Sequence, residues 1–322
     1  MAAFRSCAPH RIEHTRVIHA SPRTLYDLVA EVERWGVVFD SVAHARSLRR
    51  TGRGERCEVW AWEEGGITTW NGSRVADPYR LYIGFTWEPG QLPVPVGGCW
   101  YFRPLPGDRT EVVLRHRFAP GDGARTAGDR VRRILDRRAH QQLDALVRIA
   151  SLTDGAAPSP VFSFTDTFAV PGAAAAHHDM VRRADLWAER LPQVARSTVT
   201  ALHPQVHALE LDTIGPEGFA RRTRSVRVCH DSGWIAQKEL VTARPLIGHT
   251  GVWTFAEGLR TPVVTVRHTV VIDPAAACGA AGNRVSAESV RAGIRETLRQ
   301  DARAVLAGTS CHSRASRTAQ AS

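Results

Sequence analysis

The feature that most constrains this 322-residue chain is that its first half recurs in its second. Thr15 to Trp35 (TRVIHASPRTLYDLVAEVERW) lies over Thr167 to Trp187 (TFAVPGAAAAHHDMVRRADLW) without a gap, at an offset of 152, since 167 less 15 equals 187 less 35. The offset also sets Asp27 over Asp179 and Val29 over Val181, and Arg115-His116 in VVLRHRF over Arg267-His268 in VTVRHTV. One shift that survives about a hundred intervening residues is the mark of tandem duplication. The length exceeds one compact core and suits two domains. The expected division is 1–154, a linker at 155–160 carrying Ala156-Ala157-Pro158-Ser159-Pro160, a second domain at 161–308 and a disordered polar tail at 309–322.

Each half has the same order of elements. Spacing predicts a strand near 12–19, a helix near 22–34, then strands around 43–50, 55–63, 67–76, 80–87, 98–104 and 110–118, cut by turns such as Asp77-Pro78 and Pro106-Gly107-Asp108. A helix follows whose apolar residues Val131, Leu135, Ala139, Leu143, Leu146, Val147 and Ala150 recur every three or four positions. Val290, Ile294, Leu298, Ala302 and Val305 do the same in the second half. The plan is α+β, two tandem helix-grip domains of the Bet v 1 or START-like kind. In that plan a curved antiparallel sheet wraps a long C-terminal helix and encloses a cavity.

Composition narrows the function. No apolar run reaches the roughly 18–20 residues of a membrane span, and MAAFRSCAPHRIEH lacks a secretory leader, so a cytoplasmic protein is predicted. The six cysteines are scattered, without a C-x-x-C pair, and no metal is expected. The net charge is +10, but 41 of the 42 basic residues are arginine and they are spread along the chain. That spread suits a solvated basic surface or a dock for an acidic protein rather than nucleic acid. Dinucleotide loops, Walker loops, G-x-S-x-G elbows and H-E-x-x-H pairs are missing, so no cofactor is expected. Acid/base chemistry in a cavity, or plain binding, remains.

Strand alternation nominates the residues. Trp70, Gly72 and Arg74 share a face, with Gly72 leaving room between an aromatic wall and a guanidinium able to polarise a carbonyl. His116 alternates with Val112, Leu114 and Phe118, and His268 with Val264, Val266 and Val270, so both point inward. Histidine there can exchange protons near neutral pH, although a satisfied core histidine would show the same pattern. His44 is placed at the cavity rim or wall, His249 beside Gly251, Trp253 and Phe255, and Lys238, the sole lysine, on the face of Trp234, Ala236 and Leu240.

The stretches WGVVFDSVAHARSL, TTWNGSRVADP and VGGCWYFRPLPGDRTEVVLRHRF resemble the first domain of di-domain aromatase/cyclases of type II polyketide synthases. ADLWAERLPQVA, AQKELVTARPLIGHTGVWTF and VTVRHTVVIDP resemble the second. The resemblance implies a cofactor-independent cyclase/dehydratase acting on a ketoreduced poly-β-ketone held on an acyl carrier protein. It would close the first ring by aldol condensation and aromatise it by loss of water. Ketosynthase/chain-length factor and ketoreductase would be further partners. Arg74 falls on the family's arginine, and Trp35, His44, His116, Trp187, His249 and His268 on positions bordering the cavities. Gln193 stands where a histidine is usual and cannot titrate. The catalytic set so implied is Arg74, His116 and His44 in the first domain, with His268 and His249 in the second. Trp35, Trp70 and Gly72 would contact substrate in one cavity, and Trp187, Gln193, Lys238 and Trp253 in the other. A non-catalytic polyketide or hydrophobic-ligand chaperone or carrier would use the same cavities. The offset sets Val226 over Arg74 and Lys238 over Thr86, so the copies are expected to differ.

Overall fold

The computed structural model describes residues 9–52, 54–63, 66–90, 92–119, 125–152, 159–214, 218, 220–242, 244–273 and 286–320. The chain divides into two compact units, Met1–Ser159 and Pro160–Ser322. The expected linker lies largely outside the described residues.

In the first unit β1 (His10–His19) leads into α1 (Pro22–Ala30) and α2 (Trp35–Val38). Six strands follow, β2 (Val42–Thr51), β3 (Gly54–Glu63), β4 (Gly66–Asp77), β5 (Tyr82–Trp87), β6 (Val96–Leu105) and β7 (Arg109–Phe118), and then α3 (Arg125–Ala150). The sheet order is β1-β7-β6-β5-β4-β3-β2, antiparallel throughout. The second unit repeats it with β8 (Val161–Ala169), α4 (Ala174–Arg182), α5 (Trp187–Arg190), β9 (Val194–His203), β10 (Val206–Ile214), β11 (Ala220–His230), β12 (Trp234–Val241), β13 (Leu246–Ala256), β14 (Val263–Ile272) and α6 (Ala287–Gln320). Its order is β8-β14-β13-β12-β11-β10-β9. The duplicated α+β plan is therefore present in full.

Two expectations about where helices end needed revision. The helix predicted over 22–34 ends at Ala30, and a 3-10 turn at Val32–Arg34 precedes α2. Its start follows from Ser21, whose hydroxyl caps the Thr24 amide at 3.1 Å, and from Pro22 in the first turn. Its end is fixed from the sheet. Arg74 on β4 donates from Nη2 to the Val29 carbonyl at 2.7 Å and from Nη1 to that of Ala30 at 3.4 Å, the carbonyls a helix end leaves without partners. The second revision is at the C-terminus, where α6 continues to Gln320 through the stretch read as an irregular tail. That stretch holds no glycine or proline after Gly308 to break the helix.

The long helices bury the stripes that spacing picked out. Val131, Leu135, Ala139, Leu143, Leu146 and Ala150 are all buried, while Val147 is 37% exposed and stands off the stripe. In α6, Ile294, Ala302 and Leu306 are buried, and Leu306 packs in one cluster with Trp187, Leu191 and Trp253.

Arg227 on β11 repeats the Arg74 arrangement. It donates from Nη2 to Val181 O and from Nη1 to Arg182 O at 3.4 Å, while its guanidinium carbon lies 5.3 Å from the centre of the Trp187 ring. Val29 and Val181, Ala30 and Arg182, and Trp35 and Trp187 are each separated by 152, whereas the arginines are separated by 153. The pairing of Arg74 with Val226 is thus corrected: a one-residue slip before β11 brings in Arg227. Arg74→Ala removes a buried ion pair and the partners of two helix-end carbonyls, which predicts a loss of about 3–5 kcal/mol of stability. Thermal and urea unfolding measure it, and an unchanged midpoint would contradict the assignment.

Candidate active sites

The arginine begins a row of residues that runs across the inner face. Arg74, Phe85, Gly98 and His116 are direct cross-strand partners on β4 through β7, with Ile12 next on β1. The row in the second unit is Arg227, Gln237, Gly251, His268 and Phe164. Gly98 is required because a Cβ there would lie 2.5 Å from the Phe85 ring and 2.2 Å from the Arg115 carbonyl.

Arg74 is 3% exposed, stacks 4.8 Å over Trp35 and forms an ion pair with Glu55 at 3.2 Å in addition to its helix-end bonds. Burial lowers its pKa, with Cys57 and Glu55 opposing. Trp35 donates its indole N–H to Val29 O at 3.0 Å, so arginine and tryptophan share one anchor. The room expected beside Gly72 is filled. A Cβ at Gly72 would lie 2.1 Å from the Trp87 ring, and Trp87 meets Trp70 edge-on at 4.5 Å.

His116 is buried, contacts the Phe85 ring at 5.6 Å and has no hydrogen bond at Nδ1. Burial, then His14 and Arg138, push its pKa down to about 3, which keeps the ring neutral at neutral pH. Arg74, His116, Trp35 and Trp70 line one internal cavity of about 50 Å³, closed from the helix side by Arg138 and Gln142 of α3. Sequence reasoning missed these last two. Their signal was polar side chains at helical spacing from Leu135, next to the apolar stripe.

A roomier concavity of about 970 Å³ lies chiefly on the sheet's opposite face, among Ser73, Tyr82, Gly84, Cys99, Arg115 and Arg117. It is an open groove and does not exclude water as the interior does, so the interior is the better setting for proton transfer. His44 is on that opposite face too. A β-bulge between Val42 and His44 leaves Val42 beside Ala61 at the cavity and pairs His44 with Trp60, ring centres 5.3 Å apart. Its expected meeting with His116 does not occur.

In the second unit His249 Nε2 and His268 Nδ1 share a hydrogen bond of 3.1 Å, and His268 stacks on Phe164 at 5.0 Å. Burial lowers His249 to about 3, helped by His268 and Arg221, and lowers His268 to about 4. Trp187 and Trp253 are core residues, the former bonding Met180 O at 2.9 Å. Gln193 is half-buried just before β9, where its carbonyl accepts from the Ile214 amide. Lys238 faces away from this interior, because its neighbours Gln237 and Glu239 face in: Gln237 sits in the row with Gly251 and donates to Glu239 Oε1 at 2.6 Å. Among the described residues no helix is long and apolar enough to cross a membrane.

Comparison with known proteins agrees with this architecture. Residues 18–147 match the family described as polyketide cyclase/dehydrase and lipid transport. The chain is 42% identical to the granaticin polyketide synthase bifunctional cyclase/dehydratase of Streptomyces violaceoruber, over 92% of each chain. It is 38% identical to the actinorhodin polyketide synthase bifunctional cyclase/dehydratase of Streptomyces coelicolor, over 92% of this chain and 95% of that one. The crystal structure of the di-domain ARO/CYC BexL from the BE-7585A pathway superposes with a TM-score of 0.77 at 30% identity, covering 94% of this chain and 98% of that one. The di-domain ARO/CYC StfQ from the steffimycin pathway gives 0.75 at 28%, covering 95% and 99%. The fold and interior define a two-domain helix-grip protein with buried histidines and arginines on the inner face of each sheet. The chain belongs to the bifunctional cyclase/dehydratase family of aromatic polyketide synthesis.

Gly72→Ala overpacks the Trp87 ring and the Thr86 carbonyl and predicts a loss of about 1–3 kcal/mol, relieved in part by a second change Trp87→Leu, which removes the ring clash but not the backbone one. A double-mutant cycle by urea unfolding checks it, and additive losses would contradict the contact. The neutral histidines also set a pH dependence. Above 6.5 His116 is neutral folded or unfolded; below it the unfolded chain takes up a proton that the native ring refuses until about 3. Stability therefore falls with pH across that window, by about 1.4 kcal/mol per unit per such histidine. His116→Gln should lose less than the parent between about pH 7.5 and about pH 5, and equal losses would contradict the burial of a neutral ring.

Proposed function

We propose that the first unit's cavity folds a carrier-bound, ketoreduced poly-β-ketone into its first ring by aldol condensation, the step that precedes dehydrative aromatisation by the protein. The observation that carries this reading is one interior cavity that brings together a neutral histidine with an unbonded ring nitrogen and a helix-borne arginine among tryptophans. A methylene between two ketones is acidic, and neutral His116 is in the form that accepts its proton. Arg138 supplies positive charge to the enolate that results, in a setting where such charge acts strongly. Aromatic walls reduce the conformations open to the chain, and ring choice follows from that restriction.

In this reading Arg74 is a positioning residue. Its guanidinium is committed to Val29, Ala30 and Glu55, so it holds Trp35 and the end of α1 against the wall. At about 50 Å³ the cavity is far smaller than an ordinary ligand pocket of roughly 300–1,000 Å³, so side chains must give way as the substrate enters. The relatives belong to polyketide synthases, and a net charge of +10 suits docking of an acidic carrier protein, the partner proposed here along with ketosynthase/chain-length factor and ketoreductase.

The test is reconstitution with ketosynthase, carrier protein and ketoreductase, with products separated by chromatography and mass. Arg138→Gln and His116→Phe should melt near the parent while the first-ring product falls about 100-fold in favour of spontaneous shunt products. An unchanged product identity with altered yield alone would instead favour a carrier.

A further inference from the structure

The two interiors share a fold, an arginine brace and a histidine, yet the rows around them differ in kind. Where the first unit has Phe85, the second has Gln237; where Trp87 pairs with Gly72, Glu239 pairs with Ser225. One position beyond the Lys238–Thr250 pair, Glu239 on β12 and His249 on β13 come next along their strands. A packing copy would gain nothing from this exchange, since each polar group taken from water is costly unless it is bonded.

The bonds that form leave two openings. Gln237 donates to Glu239 Oε1 at 2.6 Å, while Glu239 Oε2 is buried without a hydrogen bond. His249 and His268 bond each other at 3.1 Å, while Nε2 of His268, a residue only 4% exposed, is buried without one. Between Gln237 and His268 stands Gly251, where even a Cβ would touch only the His268 ring at 3.7 Å and the Trp253 indole nitrogen at 4.0 Å. Gly251 thus leaves space along the Nδ1 edge of His268, and a carboxyl and a histidine pair, each with one unbonded polar atom, lie on neighbouring positions of this face.

We propose that the second unit carries its own proton-transfer site, formed by Glu239 with Gln237 and by His268 with His249, for dehydrating a β-hydroxyketone. With the Nδ1 hydrogen of His268 donated to His249, Nε2 accepts the proton on the carbon next to the ketone. The electrons of that C–H bond become the new C=C bond, the C–O bond breaks, and the hydroxyl leaves as water with the Glu239 proton. Return of the proton from the imidazolium to the carboxylate resets the site. His249 stabilises the transient imidazolium, as an acceptor at the far ring nitrogen does in hydrolase triads.

Independent of that geometry, burial raises the Glu239 carboxyl to about 7, against Gln237, Arg221 and Arg227, with Asp301 of α6 adding to the rise. A carboxyl so placed gives and takes a proton at neutral pH, and the histidine pair stays neutral and accepting. The β-hydroxyketone as substrate rests on the function proposed for the first unit; the titrating carboxyl does not.

Two measurements on the full chain keep those apart. In the reconstituted system, Glu239→Gln, which keeps size and hydrogen bonding, should still close the first ring but slow dehydration about 100-fold, so that the ring accumulates with its hydroxyl. Its melting should match the parent, and dehydration at the parental rate in the folded variant would overturn the proposal. The second measurement needs no substrate: the infrared carbonyl band of a protonated carboxyl should titrate near neutral pH in the parent and be missing from Glu239→Gln. A parent band confined to the ordinary carboxylate range would overturn the proposal. A parent protein that leaves ring identity unchanged, with the infrared titration present, would instead overturn the substrate reading.

Discussion

A guanidinium planted in a sheet and reaching the open end of a helix organises both halves of this protein. Arg74 and Arg227 meet the last carbonyls of α1 and α4 and lie over Trp35 and Trp187. A helix end buried without partners would be expensive, and the flat, forked, permanently charged side chain satisfies two carbonyls at once while its face covers an indole. Lysine, a point charge without that fork, could not do the same. The brace fixes where the helix stops, how the following turn enters the sheet, and hence the wall behind the cavity.

From the brace, the consequences run along one row of cross-strand partners. The arginine, a variable residue, a glycine and a histidine follow one another across four strands in each unit. Duplication preserved the costly parts of the row, the buried cation and the buried imidazole, and changed what stands between them. Phe85 and Trp87 make the first interior aromatic, whereas Gln237 and Glu239 make the second polar. Difference between the copies therefore lies in the rows that face the helix, and the frame is shared.

Much of this was legible in the sequence. The order of elements, the helical stripes and the inward aim of His116 and His268 follow from periodicity, because period 2 and period 3.6 are imposed by backbone geometry. What escaped is equally physical. A rigid offset could not see the single-residue slip before β11 and so set Arg74 against Val226, although the repeated Arg-Val dipeptide at Arg74-Val75 and Arg227-Val228 carried the answer. The bulge at His44 reversed a face, and no pattern reports a bulge before the pairing is known. Lys238 drew the eye as the sole lysine while its neighbour Glu239 faced the interior. Gly72 read as free space because a sequence does not tell which ring, here Trp87, comes to fill it.

The central claim, that the arginines brace the frame while the chemistry belongs to the residues between brace and helix, is tested most directly by a crystal structure with a stable aromatic product mimic bound in the first cavity. The account predicts the mimic's oxygen within hydrogen-bonding distance of His116 or Arg138, with Arg74 still donating to Val29 and Ala30. Arg74 released from the helix end and donating to the mimic would contradict it.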